Sequence, residues 1–116
     1  MRLKHLPIVL LIILVGCAQL RTTRATNGLL SVTVAPSGVI TVDRYQPDRV
    51  GSNVVISAFG LETDIHDQGS NRWTGAVAPE TVTNAPNIEK GAVVTVIIEE
   101  DLNGDVKTKT YTLTVQ

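Results

Sequence analysis

Hydrophobic and polar positions alternate along most of this chain with a period of two. In Leu29-Leu30-Ser31-Val32-Thr33-Val34, Val32 and Val34 fall on one side and Thr33 on the other, and Pro36-Ser37-Gly38 ends the run. Val39 to Val42 resumes it, and Val54 to Phe59, Arg72 to Val77 and Ala92 to Ile98 follow, most of them rich in β-branched residues. The last segment sets Tyr111, Leu113 and Val115 against Thr110, Thr112 and Thr114. Successive side chains of a strand point to opposite faces, so such segments read as half-buried strands. No segment after residue 17 carries an apolar stripe at helical spacing. The pattern predicts an all-β domain over residues 29–116, with six strands and a seventh if Thr81 to Thr83 forms a short edge strand. Pro79 and Pro86 around that edge discourage pairing with another chain. The expected interior is Val32, Val34, Ile40, Val42, Ile56, Trp73, Val94, Val96, Ile98, Tyr111, Leu113 and Val115. Val93 and Ile97 then face outward, to meet a partner or a covering loop.

Turn chemistry fixes the last two strands. Asn103-Gly104 tolerates the positive φ angles of a type I′ turn, whose twist matches that of paired strands. The dipeptide predicts a hairpin of Ala92–Asp101 with Asp105–Val115. Asp101, Asn103 and Asp105 also have the alternate spacing of a calcium loop. Gly104 stands at the fourth position rather than the sixth, however, and no Glu closes the loop at the twelfth, so the turn is the better account.

The first sixteen residues follow another pattern. Arg2 and Lys4 precede an uncharged apolar run from Leu6 to Val15, the layout of a secretory signal. A membrane-spanning helix needs roughly 20 apolar residues, which makes this run short for an uncleaved anchor. Leu14-Val15-Gly16-Cys17 closes the run and resembles the lipobox of bacterial lipoproteins at all four positions. The resemblance implies that a lipoprotein signal peptidase cuts between Gly16 and Cys17, that Cys17 carries a diacylglyceryl group on sulfur, and that its new amino group is often acylated. The alternative is an ordinary secreted protein cut near Ala18. One acyl chain holds only marginally while two or three anchor stably, so membrane lipid is the first expected partner. Ala18, in place of the Asp typical of inner-membrane retention, implies the outer membrane in a cell with two membranes. Residues 17–28 read as the lipidated cysteine and a flexible tether, polar and without apolar periodicity, whose Arg21 and Arg24 lie within reach of headgroups.

The stretch Gly91 to Val115 is similar to the last two strands of bacterial immunoglobulin-like domains: a β-rich run, an Asn-Gly turn and a Thr-rich strand ending in Val. Trp73 resembles the core tryptophan of such domains. The resemblance implies a small antiparallel immunoglobulin-like β-sandwich, although no cysteine pair flanks Trp73 and no tyrosine corner is present.

Composition narrows the function. Of the 10 Lys and Arg, Arg2 and Lys4 leave with the signal, so 8 remain against 11 Asp and Glu; no basic face for nucleic acid is available. The single cysteine excludes an internal disulfide. The stretch Leu61 to Trp73, expected as a long loop, gathers Glu62, Asp64, His66 and Asp67. Asp64, His66 and Asp67 are weak candidates for metal ligands, with Glu62 in support, but the spacing matches no known site and no second His lies nearby. None of Ser31, Ser37, Ser52, Ser57 and Ser70 sits in a Gly-x-Ser-x-Gly elbow, and no glycine-rich phosphate loop appears. The sequence therefore predicts a lipid-anchored, non-catalytic binding or adhesion module of the bacterial cell envelope, without a cofactor, that meets a protein or glycan. A structural subunit of an envelope assembly is the alternative, and a metal-binding protein or enzyme using the Glu62–Asp67 segment is a further one.

Overall fold

The computed structural model describes residues 22–82 and 88–116. The expected secretion signal, the lipobox-like Leu14-Val15-Gly16-Cys17 and Arg21 lie outside the described residues. Eight strands form: β1 (Thr23–Thr26), β2 (Ser31–Val34), β3 (Val39–Asp43), β4 (Asn53–Ala58), β5 (Leu61–Gly69), β6 (Arg72–Ala76), β7 (Val93–Leu102) and β8 (Asp105–Val115). All pair antiparallel, in the order β1-β2-β3-β6-β5-β4-β7-β8, and β8 returns to β1 to close a barrel.

The all-β reading holds, but the expected sandwich of six to seven strands is replaced by a closed barrel of eight. Two strands the alternation did not predict make the difference. The segment Leu61 to Trp73, expected as a loop, forms β5, which pairs with β4 from Ala58↔Leu61 to Val54↔Ile65. Its alternation is real, with Leu61 and Ile65 buried, but Glu62, Asp64 and His66 crowd its outer face. Polar residues of low strand propensity disguised a strand as a loop. The second is β1, which lies inside the expected tether. Thr23 and Ala25 point inward, and Ala25 is 0% exposed between Val32 on β2 and Val115 on β8. Four residues are too few to carry a readable pattern, and Ala is a poor strand former on its own. The edge strand expected around Thr81 to Thr83 is also corrected. Pro79–Thr81 forms a 3-10 turn, closed by Thr81 N–H to Ala78 O at 2.9 Å, with Pro79 supplying the preset φ of a first turn; Thr83 is outside the described residues.

The predicted hairpin of β7 and β8 is paired along its whole length, with Asn103 and Gly104 at φ 54° and 88° as a type I′ turn requires. Val32, Val34, Ile40, Val42, Ile56, Val96, Ile98, Leu113 and Val115 are buried as expected, while Trp73, Val94 and Tyr111 are half-buried against that core. Leu30, Val54, Leu61 and Ile65 join it, as does Tyr45 from outside any strand. Val93 is exposed and Ile97 is half-buried. Gly75 has a packing reason to be glycine: a Cβ there would lie 2.3 Å from the carbonyl oxygen of Asp64, so β5 crosses β6 where only hydrogen fits.

The pairing gives the barrel two distinct ends. Strands β1, β3, β5 and β7 run one way and the others run back. At one end the chain enters β1, and the turns 35–38 and 59–60 and the described parts of the crossing segment, 77–82 and 88–92, lie there; this is the entry end. At the other lie the turns 27–30, 70–71 and 103–104 and the segment 44–52, which crosses the mouth of the barrel from β3 to β4. We call that segment the strap.

Candidate functional site

The strap end holds the densest polar chemistry. Tyr45 inserts its ring into the barrel mouth, 5.7 Å centroid to centroid from Trp73 at 75°, an edge-on contact. Its backbone N–H donates to Asn71 O at 3.0 Å, and its hydroxyl donates to Glu100 Oε2. Glu100 is 0% exposed, on the inward face of β7 one alternation beyond Ile98. Its other oxygen accepts from the backbone N–H of Asp48 at 3.1 Å, and Lys109 Nζ lies 3.0 Å from Oε2. The ammonium of Lys109 also reaches Asp48 Oδ1 at 2.7 Å and sits 5.7 Å from the centroid of the Tyr45 ring. Lys107 holds Asp48 Oδ2 at 2.6 Å. Beside them Arg49 pairs with Asp105 at 2.7 Å and donates to the carbonyl oxygens of Glu100, at 3.2 Å, and Asp105, at 2.9 Å.

These contacts set the ionisation of the cluster. Burial pushes the Glu100 carboxyl up, but hydrogen bonds from Tyr45, Lys109 and the Asp48 amide outweigh it and hold the group below its usual range. Hydrogen bonds from Lys107 and then Lys109 lower Asp48 to about 2. Burial opposes the charge on Lys109, yet Asp48 and Glu100 raise its pKa. Burial, and then the adjacent Glu100 carboxylate, keep the Tyr45 hydroxyl protonated far into alkali. Two carboxylates and two ammonium groups thus satisfy one another. The cluster is a latch that ties the strap across the barrel mouth, with neither carboxylate left over as a base.

The second feature is external. Strands β5, β4 and β7 lie side by side and contain no Lys or Arg. Their outward rows bring Asp64, Val55 and Glu99 abreast, with Glu62, Ser57 and Ile97 on one side and Asn53 and Asp101 on the other. A shallow groove of ≈ 620 Å³ runs over the upper part of this face, lined by Asp64, His66, Asp67, Glu99 and Asp101 together with Val55, Trp73 and Val106. It is an acid-walled, partly apolar surface.

Of the residues singled out in the sequence, Glu62, Asp64 and His66 are exposed on the outer face of β5. Asp67 falls at the opposite alternation, across from Trp73, at the irregularity between Asp67 and Gly69, and its Oδ1 accepts from the Gly69 N–H at 2.8 Å. All three side chains line the acid-walled groove, but Asp67 reaches it from the irregular end of β5 and is engaged with the Gly69 amide. Among the described residues no three His, Cys, Asp or Glu side chains are grouped to hold a metal ion. The acids of the β7–β8 tip are engaged as a turn, with Asp101 Oδ1 accepting from Gly104 N–H at 2.9 Å and Asp105 paired with Arg49. Cys17 is outside the described residues.

Sequence reasoning missed Tyr45, Asp48, Arg49, Glu100, Lys107 and Lys109. A signal was present. Extending the inward alternation of β7 through Val96 and Ile98 reaches Glu100, and extending that of β8 back from Leu113 and Tyr111 reaches Lys109 and Lys107. An inward Glu100 facing lysines of the same alternation across an Asn-Gly turn marks an ion pair at the barrel mouth, with Glu100 buried, Lys109 half-buried and Lys107 exposed at the rim. Comparison with family models, curated proteins and solved structures finds no significant match to this chain.

Proposed function

We propose that this chain is a lipid-anchored protein of the bacterial cell envelope, held through acylated Cys17 (at the outer membrane in a cell with two), and that its barrel serves as a non-catalytic module that binds a protein or glycan. The observation that carries the binding half of this reading is the disposition of polar groups. The barrel interior is mainly aliphatic, its buried charge is held by the latch, and the acid-walled groove on β5, β4 and β7 offers a partner a mixed acidic and apolar surface. The anchoring half rests on the apolar run and on Leu14-Val15-Gly16-Cys17. Feeding cells an alkyne fatty acid tests it: the wild type takes up label and Cys17→Ser does not, and equal labelling of the two rejects the anchor. For the binding half, a photo-crosslinker at Val55 is expected to capture one defined partner in cells, and the same crosslinker at Thr33, on the far side of the barrel, is not.

A further inference from the structure

We propose that the barrel stands upright on the bilayer that holds it, with its entry end against the lipid surface and its strap end pointing away. The inference rests on the anchoring of Cys17 and adds to it a docking surface and an orientation. Five residues separate Cys17 from Thr23, where β1 begins, so six Cα–Cα steps join them. Even fully extended they reach only about 20 Å, so a lipid on Cys17 holds the entry end close to the headgroups and leaves the strap end a barrel length farther out.

The two ends differ in what they would offer a bilayer. The turns 35–38 and 59–60 carry no charged residue, and at the entry end the described parts of the crossing segment add Glu80, Glu89 and Lys90. Apolar side chains stand around its rim. Val93 is 66% exposed at the start of β7 and Val39 is 40% exposed at the start of β3, on opposite sides of the barrel. Between them the β4–β5 turn is built from Phe59 and Gly60, at φ 56° and 74°. A type I′ turn favours Asn or Asp at the first of these positions and strains a bulky side chain. Here the strained position carries an aromatic ring, half-buried in the turn at the entry end with part of it packed against the core. Leu29, Val50 and Val106 are exposed at the strap end. Arg49 precedes Val50, Asp105 and Lys107 flank Val106, and Arg44 binds the carbonyl oxygen of Gly28 beside Leu29. Seating that end in a bilayer would desolvate these charges, whereas the uncharged turns 35–38 and 59–60 with Val39 and Val93 let the entry end dock with the exposed Glu80, Glu89 and Lys90 at the level of the polar headgroups.

Trp73, the single tryptophan, lies near the strap end and serves as an internal reference. The chain from Cys17 to Gln116 is coupled through its one thiol to a maleimide lipid in phosphatidylcholine vesicles containing brominated lipid, a short-range quencher of tryptophan. In the wild type, Trp73 emission is expected to be unchanged by bromine. In Phe59→Trp, the added emission is expected to fall severalfold. Val93→Trp, an exposed rim position, gives the same reading should the Phe59 variant fold poorly. Unquenched emission from the rim positions, or quenching of Trp73 as strong as theirs, overturns the proposal. The coupling is chemical and holds whether or not a cell acylates Cys17, so failure of fatty-acid labelling and failure of this docking are read separately.

Discussion

At the scale of single residues, Glu100 is the most exacting position in the molecule. A fully buried carboxylate survives only because Tyr45, Lys109 and the Asp48 amide all point at it. Removing one partner is therefore expected to cost more than removing the charge itself. Lys109→Met leaves the carboxylate without its counter-charge and should destabilise the fold by about 3 kcal/mol or more. Tyr45→Phe deletes one neutral donor and should cost about 1–3 kcal/mol. Combining Lys109→Met with Glu100→Leu should recover much of the first loss, because no orphaned charge remains. Urea denaturation of the four proteins checks this order, and a double variant weaker than Lys109→Met alone would contradict it.

Among the elements, β1 decides whether the sheet is open or closed. Without it, β2 and β8 would be the edges of a single open seven-stranded sheet. With it, Ala25↔Val115 and Thr26↔Thr114 join those edges, and the Gln116 N–H donates to Arg24 O at 2.8 Å. The contribution is testable because inward and outward positions differ so sharply. Ala25→Asp places a carboxylate at a position with 0% exposure and should unfold the barrel or cost about 3 kcal/mol. Thr22→Asp, one residue before the strand and exposed, should change stability by less than about 0.5 kcal/mol. A tether without structural function would respond alike to both, so thermal melts followed by circular dichroism separate the two views.

For the molecule as a whole, the latch sets the pH range of stability. Asp48 and Glu100 are both held below their ordinary pKa values in the fold. Their contribution is present above the unfolded carboxylate range, about pH 4; that of Asp48 is lost as pH falls toward about 2, and that of Glu100 as pH falls through its own lowered value. Lys109 is shifted upward, so its contribution is present below the unfolded lysine value, about 10.4, and is lost as pH rises through its folded value. The midpoint of urea denaturation is therefore expected to stay level from about pH 5 to about pH 10 and to fall on both sides. In Lys109→Met the acid limb should be shallower, since the carboxylates are no longer held down by its ammonium. An acid limb of unchanged slope would place the acid sensitivity elsewhere in the protein.

What the sequence determined by itself was local. Period-two alternation specified β2, β3, β4, β6, β7 and β8 and most of the core, and Asn103-Gly104 specified the turn between the last two strands, because each rests on neighbouring residues alone. The inward Glu100 and Lys109 were legible in the same alternation, but their partners on the strap were not. Tyr45 and Asp48 lie more than fifty residues from Glu100, in a segment without periodicity, and meet it only when the chain crosses the barrel mouth. Likewise β1 and β5 carry too little apolar pattern to declare themselves, and pairing with β2, β8, β4 and β6 makes them strands. Tertiary structure alone decided that the sheet closes and that Asp64, His66 and Asp67 meet Glu99 and Asp101 along one groove. It also decided that the chain enters at the end opposite the strap. Closure, convergence and direction depend on which distant backbones find one another, and no residue carries that information in its immediate sequence.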